Sequence, residues 1–213
     1  MGKEYALLDG EKPEVAQAIF EQYMPRFAGD ILPQQEIGRA LSLADKLDNL
    51  AATFLRGLIP TGSQDPFALR RQTIGAVNIL TDGKIHWDIR RGIEAALALL
   101  PGDEETKKTV LSQIEDFFRQ RIKAIMLDEG IAYDIIDAVL AGPVDDIYAL
   151  FLKARSMAES QLKDEAELRQ AVTRLANITK GKTGGKVDPS LFTEDVEKKL
   201  QDAFEAVSAK DLP

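Results

Sequence analysis

Residues 36–56 read EIGRALSLADKLDNLAATFLR, with Ile37, Leu41, Ala44, Leu47, Ala51 and Phe54 three or four positions apart. At 3.6 residues per turn that spacing gathers the apolar side chains on one helical face. The same period returns on either side. Residues 14–24 (EVAQAIFEQYM) align Val15, Ala18, Ile19 and Tyr23, and residues 103–129 align Val110, Ile114, Phe117, Phe118, Ile122 and Ile125. Further helices are expected over 66–80, 87–100, 133–141, 145–163, 165–179 and 193–207, the one at 133 capped by Asp134. No stretch alternates with period two, so the fold class is all-α. The turn TDGK (81–84) interrupts the pattern through its Asp-Gly pair. It divides the chain into two helical domains, 1–84 and 85–213. The run GKTGGKVDP (181–189) reads as an open connection.

The chain has 213 residues, 45% apolar and 29% charged, with no cysteine. Disulfides, thiolate metal sites and a cysteine nucleophile are thereby excluded. No apolar run approaches the ~20 residues that span a bilayer. The opening MGKEYALLDGEKPE lacks an apolar leader core, so a cytoplasmic protein with no membrane partner is expected. The formal net charge of −8 is unlike that of a dedicated nucleic-acid binder. Phosphate contacts depend on local clusters rather than on the sum, so the basic residues need to be located.

Residues 59–72, IPTGSQDPFALRRQ, pack turn residues against two adjacent arginines. Asp65 reads as an N-cap and Pro66 as the first helical residue, because the carboxylate accepts orphan amides and proline forfeits none. Arg70 and Arg71 point about 100° apart on such a helix. In LADKLD (43–48), Asp45 and Asp48 share a face three residues apart. The expectation is structural ion pairs between these aspartates and Arg39, Arg70 or Arg71. Paired carboxylates also suit a metal, and ALADKLD resembles a helix of HD-type phosphohydrolases. That site needs several histidines, whereas this chain has His86 alone, so no metal site is expected.

ANITKGKTGG (176–185) is a near-miss to a phosphate loop, but it follows a helix and leads into a connection, where that motif needs a preceding strand. RQRIK (119–123) puts Arg119 and Lys123 on one stripe. Arg155, and then Arg169 and Arg174, add cations on the two following helices. Separately each fits a solvated face; converging, with Tyr133 or Tyr148 to stack, they would suit single-stranded RNA.

EYALLDGE (4–11), EVAQAIFEQYMPRFAGDILP (14–33), ALSLADKLDNL (40–50) and above all IPTGSQDPFALRRQTIG (59–75) closely resemble the β subunit of bacterial-type heterotetrameric glycyl-tRNA synthetase. FFRQRIKAIMLDEGIAYDIIDAVLA (117–141) and RLANITK (174–180) are similar to its C-terminal portion. The likeness runs in order along almost the whole chain, which looks like a piece of that subunit. It implies an HD-like helical domain followed by a DALR-like anticodon-binding domain. It also implies glycine tRNA, the α subunit and the remaining β-subunit domains as partners. The site that activates glycine with ATP and magnesium belongs to the α subunit in that family, so no catalytic residue and no cofactor is expected here. Family members often carry histidine where this chain has Gln22, which removes one more HD ligand. Arg119, Arg121, Lys123, Arg155, Arg169 and Arg174 are the expected RNA contacts. A scaffold role and an HD-type phosphohydrolase are the alternatives.

Overall fold

A computed structural model describes residues 1–62, 64–159, 173–174, 177 and 187–208. The expected helix over 165–179 falls mostly outside the described residues, as do Arg169 and most of the connection 181–189. Among the described residues the protein is built of α-helices, with isolated bridges at Thr61–Gln64 and Asp88–Asp146 and no sheet. The helices are α1 (Gly2–Leu8), α2 (Pro13–Glu21), α3 (Glu36–Leu55), α4 (Leu69–Asp82), α5 (Ile89–Ala98), α6 (Glu104–Asp128), α7 (Tyr133–Leu140), α8 (Ile147–Glu159) and α9 (Asp195–Ser208). The chain folds as two compact units, residues 1–163 and 164–213.

In the first unit α6 is the spine. Its 25 residues rise about 37 Å. Asp103 accepts from the Thr106 amide at 2.8 Å, and Glu104 and Glu105 face the positive end of the helix dipole. At its end Gly130 takes φ 79°, and Ile131 N–H reaches back to the Met126 carbonyl at 3.0 Å. That left-handed step suits glycine. The buried stripe Val110, Ile114, Phe117, Phe118, Ile122 and Met126 follows the helical period. Phe117 meets Phe54 of α3 edge to face, with centroids 5.2 Å apart. The same core takes Leu47 and Leu50 from α3, Leu80 from α4, Ile89 and Ile93 from α5, Ile136 from α7 and Phe151 from α8. Residues on both sides of position 84 therefore share one hydrophobic core. TDGK is a turn as expected, and the helices it joins both pack on α3 and α6.

Three local expectations are corrected. α4 begins at Leu69, not at Pro66. Asp65 to Ala68 form a turn closed by Ala68 N–H to the Asp65 carbonyl at 3.1 Å. The Asp65 carboxylate still serves the helix start, accepting from the amides of Leu69 at 2.8 Å and Arg70 at 3.0 Å. Asp134 lies inside the first turn of α7, whose N-cap is Ala132. The expected apolar faces of α2 and α3 hold in part: Ala18, Leu47, Ala51 and Phe54 are buried, whereas Val15, Tyr23, Ile37 and Leu41 are exposed and Ala16, Glu21, Gly38, Ser42 and Lys46 are buried. Polar bonds tie α3 to α2 and to the loop between them, from the Gln35 amide to Glu21 and from Ser42 and Lys46 to the Met24 carbonyl.

The turn before α4 holds Ala68 at φ 55°, a left-handed conformation that costs an L-residue roughly 1–2 kcal/mol. Ala68→Gly relieves that strain and gives back part of the gain as unfolded-chain entropy. Stability is expected to rise by about 0.5–1 kcal/mol. A urea midpoint unchanged or lower in the variant would contradict this.

In the second unit Asp188 accepts from the Ser190 amide at 3.0 Å at a short turn, Pro189–Leu191. The Glu197 carboxylate closes the start of α9 by accepting from the amides of Thr193 and Glu194 at 2.8 and 2.9 Å. α9 exposes Val196, Leu200 and Phe204 along one face.

Candidate nucleic-acid interface

The loop between α2 and α3 and the first turns of α4 enclose a cleft of about 940 Å³. Its wall includes Phe27, Arg70, Arg71, Asn78, Lys84 and Arg155. α4 supplies the floor because Ala76, Val77, Ile79 and Leu80 are drawn into the core, which turns Arg71, Ile74 and Asn78 outward. α8 packs on α4 and brings Arg155 to the same opening.

The acidic groups in that wall are engaged elsewhere. Asp30 is held by Arg26, whose Nε and backbone N–H both lie 2.8 Å from its carboxylate. Those bonds hold the Asp30 carboxyl well below the usual carboxylate range. Asp65 serves the amides of α4, and Asp82 sits 4.0 Å from Arg39. Arg70 donates to the Gly62 carbonyl at 2.8 Å, and the exposed side chains of Arg71 and Lys84 have no hydrogen-bond or ion-pair partner among the described residues. A cleft with uncompensated cations, on a chain of net charge −8, is suited to an anion.

Among the described residues no ion pair joins Asp45 or Asp48 to Arg70 or Arg71. Asp45 instead accepts from Gln22 Nε2 at 3.2 Å, and Asp48 is exposed beside an apolar depression around Trp87. Both arginines line the cleft beside the α2–α3 loop, and Arg71 also lines a smaller depression with Asp45 without pairing to it. Among the described residues no group of three or more His, Cys, Asp or Glu could hold a metal ion. His86 Nδ1 lies 2.8 Å from Asp146, and its ring meets Tyr148 edge to face.

The cations expected to form one groove are distributed differently. Arg119 donates to the carbonyls of Leu140 and Gly142 and closes the end of α7. Lys123 pairs with Asp137 at 2.8 Å and lies over the Tyr133 ring. Arg121 stacks 3.8 Å above Phe117. Its guanidinium is pulled below its ordinary value first by burial and then by the neighbouring Arg70. Arg155 binds Glu129 through two nitrogens, at 3.1 and 2.9 Å. Arg174 is exposed. Arg121 and Arg155 thus converge with Arg70 rather than with Arg119 and Lys123.

Behind the cleft, Lys46 is buried and donates to the Met24 carbonyl at 2.8 Å and Ser42 Oγ at 2.7 Å, tying the α2–α3 loop to α3. Sequence reasoning missed this anchor. Burial lowers its pKa from 10.5 to about 8, so the folded protein releases a proton that the unfolded chain still holds between those values. Stability from this group therefore rises with pH from about 8 to 10.5 and is lost on the way back down. Lys46→Met should abolish that rise, leaving Ser42 Oγ to serve Met24 at 2.6 Å. Urea melts at pH 8 and 10 check this, and an equal rise in both proteins would contradict it.

Comparison with known proteins agrees with the resemblance. The family model described as glycyl-tRNA synthetase beta subunit matches residues 1–141. The glycine–tRNA ligase beta subunit of Clostridioides difficile (strain 630) is 45% identical over 211 residues, covering 99% of this chain and 31% of that protein. The corresponding subunit of Desulforamulus reducens is 43% identical over 204 residues, covering 94% and 29%. That of Halalkalibacterium halodurans is 42% identical over 217 residues, covering 100% and 31%. The chain spans about 31% of the length of these relatives. Most of the chain lies under one family model, and the α2–α3 loop and the α4 start that shape the cleft fall inside the matched region. This chain belongs to the glycyl-tRNA synthetase β-subunit family.

Proposed function

We propose that this chain is a tRNA-contacting part of a glycine–tRNA ligase β subunit, and that the α4 cleft grips the sugar–phosphate backbone of glycine tRNA. In that reading residues 1–84 are an HD-like portion that positions the tRNA. Residues 85–213 belong to a DALR-like anticodon-binding portion, to which the exposed Arg174 contributes. The α subunit joins glycine to tRNA with ATP and magnesium, and the present residues supply affinity and register. Phosphate contacts position an RNA, whereas contacts to base edges select it.

The observation that supports this reading is the gathering of Arg70, Arg71 and Lys84 in one cleft with no carboxylate paired to them. Filter binding of glycine tRNA to the chain at rising salt tests it. Affinity should fall linearly on a logarithmic plot as phosphate contacts release counterions. No retention at low salt by the folded chain would sink the proposal.

A scaffold role is the second reading. It is favoured by an apolar depression of about 800 Å³ lined by Leu43, Leu47, Trp87 and Leu99.

A further inference from the structure

Beside the cleft lies a second, smaller depression of about 350 Å³, lined by Tyr23, Asp45, Asn49, Phe67 and Gln72. Pro25, Ala68 and Arg71 belong to both walls, so Arg71 stands where the two meet. Each depression carries exposed aromatic surface. Phe27, in the cleft, is 55% exposed; Tyr23 and Phe67, in its neighbour, are 64% and 49% exposed. None of the three belongs to the hydrophobic core. Side-chain amides complete both walls, Asn78 in one and, in the other, Asn49 and Gln72, where Asn49 donates to Gln72 at 3.2 Å and Gln72 to the Phe67 carbonyl at 3.0 Å.

An arginine with no side-chain partner among the described residues, set between two aromatic-walled hollows, has the chemistry of single-stranded nucleic acid: a phosphate between two flat bases. A duplex keeps its bases stacked inside and offers mainly backbone and a shallow groove, whereas unpaired bases splay out onto aromatic side chains. Stacking of this kind tolerates any base, and amides beside it can bond base edges.

We propose that the paired depressions hold two consecutive unpaired nucleotides of an RNA strand. The bridging phosphate lies on Arg71, one base against Phe27 and the next against Tyr23 and Phe67. This rests on the tRNA reading above and narrows it to an unpaired step of the RNA.

The test is titration of the nitrogen-15-labelled chain with adenylyl-adenosine, adenosine 5′-monophosphate and adenosine, followed by amide shifts. The dinucleotide should perturb residues of both depressions and bind more tightly than the monophosphate, with adenosine weakest. Phe27→Ala and Phe67→Ala, both at exposed positions, should each weaken the dinucleotide about 5- to 150-fold with unchanged melting. Arg71→Ala should weaken it and flatten its salt dependence. Monophosphate binding as tight as the dinucleotide's would mean a free nucleotide in one hollow and overturn the two-nucleotide step. No dinucleotide shift in a folded chain that retains glycine tRNA would overturn this inference alone. Dinucleotide binding without tRNA retention would overturn only the tRNA reading.

Discussion

If the cleft grips tRNA as proposed, Arg71→Glu is expected to weaken glycine tRNA binding by about 10- to 150-fold. A hydrogen bond to a charged group contributes about 1.5–3 kcal/mol, which converts to that range. Reversal also places a carboxylate against the phosphate. Melting temperature should not change, because Arg71 is exposed and its side chain has no partner to lose among the described residues. The scaffold reading makes the opposite prediction: Arg71 would then lock helices together, and its replacement would lower stability while leaving tRNA affinity intact. One variant, measured by filter binding and by thermal melting, separates the two. Arg119→Glu is the internal contrast. Arg119 closes α7 through the Leu140 and Gly142 carbonyls, so its loss should register in melting more than in affinity.

The second large effect is on folding. Gly38→Ala should destabilise the protein by about 2–6 kcal/mol. A methyl group at position 38 would come within 2.8 Å of Glu21 Cβ and 2.9 Å of its Cδ, and closer still to the carboxylate. Glu21 is 2% exposed and accepts from Gln17 Nε2 at 2.8 Å and the Gln35 amide at 3.1 Å. Its side chain therefore cannot swing aside without breaking buried hydrogen bonds. Overpacking costs about 1–3 kcal/mol and an orphaned buried polar group about as much again. In the Glu21→Ala background the obstruction is gone, so Gly38→Ala should cost far less there. A double-mutant cycle reads that coupling directly. Additive losses would mean that the close approach of α2 and α3 does not depend on this glycine.

The helices were legible through their apolar period, most plainly in the stripe of α6; the caps named from sequence, Asp65 and Asp134, were displaced. The orientation of α2 and α3 was legible only in part, because Glu21, Ser42 and Lys46 occupy positions that a hydrophobic pattern assigns to solvent. Their burial depends on partners from another segment, such as the Met24 carbonyl and the Gln35 amide. The start of α4 was displaced by one turn for a related reason. Asp65 caps from a preceding tight turn as effectively as from the N-cap itself, and spacing alone does not distinguish the two. Arg70 and Arg71 line one cleft with Arg155 of α8, a convergence set by helix packing across 84 residues of chain.

Photocrosslinking from the cleft itself tests the account most directly. Ile74 lines the cleft and is 39% exposed, so a benzophenone amino acid placed there should leave the core untouched. With the full-length enzyme and glycine tRNA, the predicted result is a covalent adduct whose yield falls as salt is raised and whose RNA end maps to an unpaired position. The contradicting result is no adduct from position 74 while the same enzyme still retains glycine tRNA on a filter.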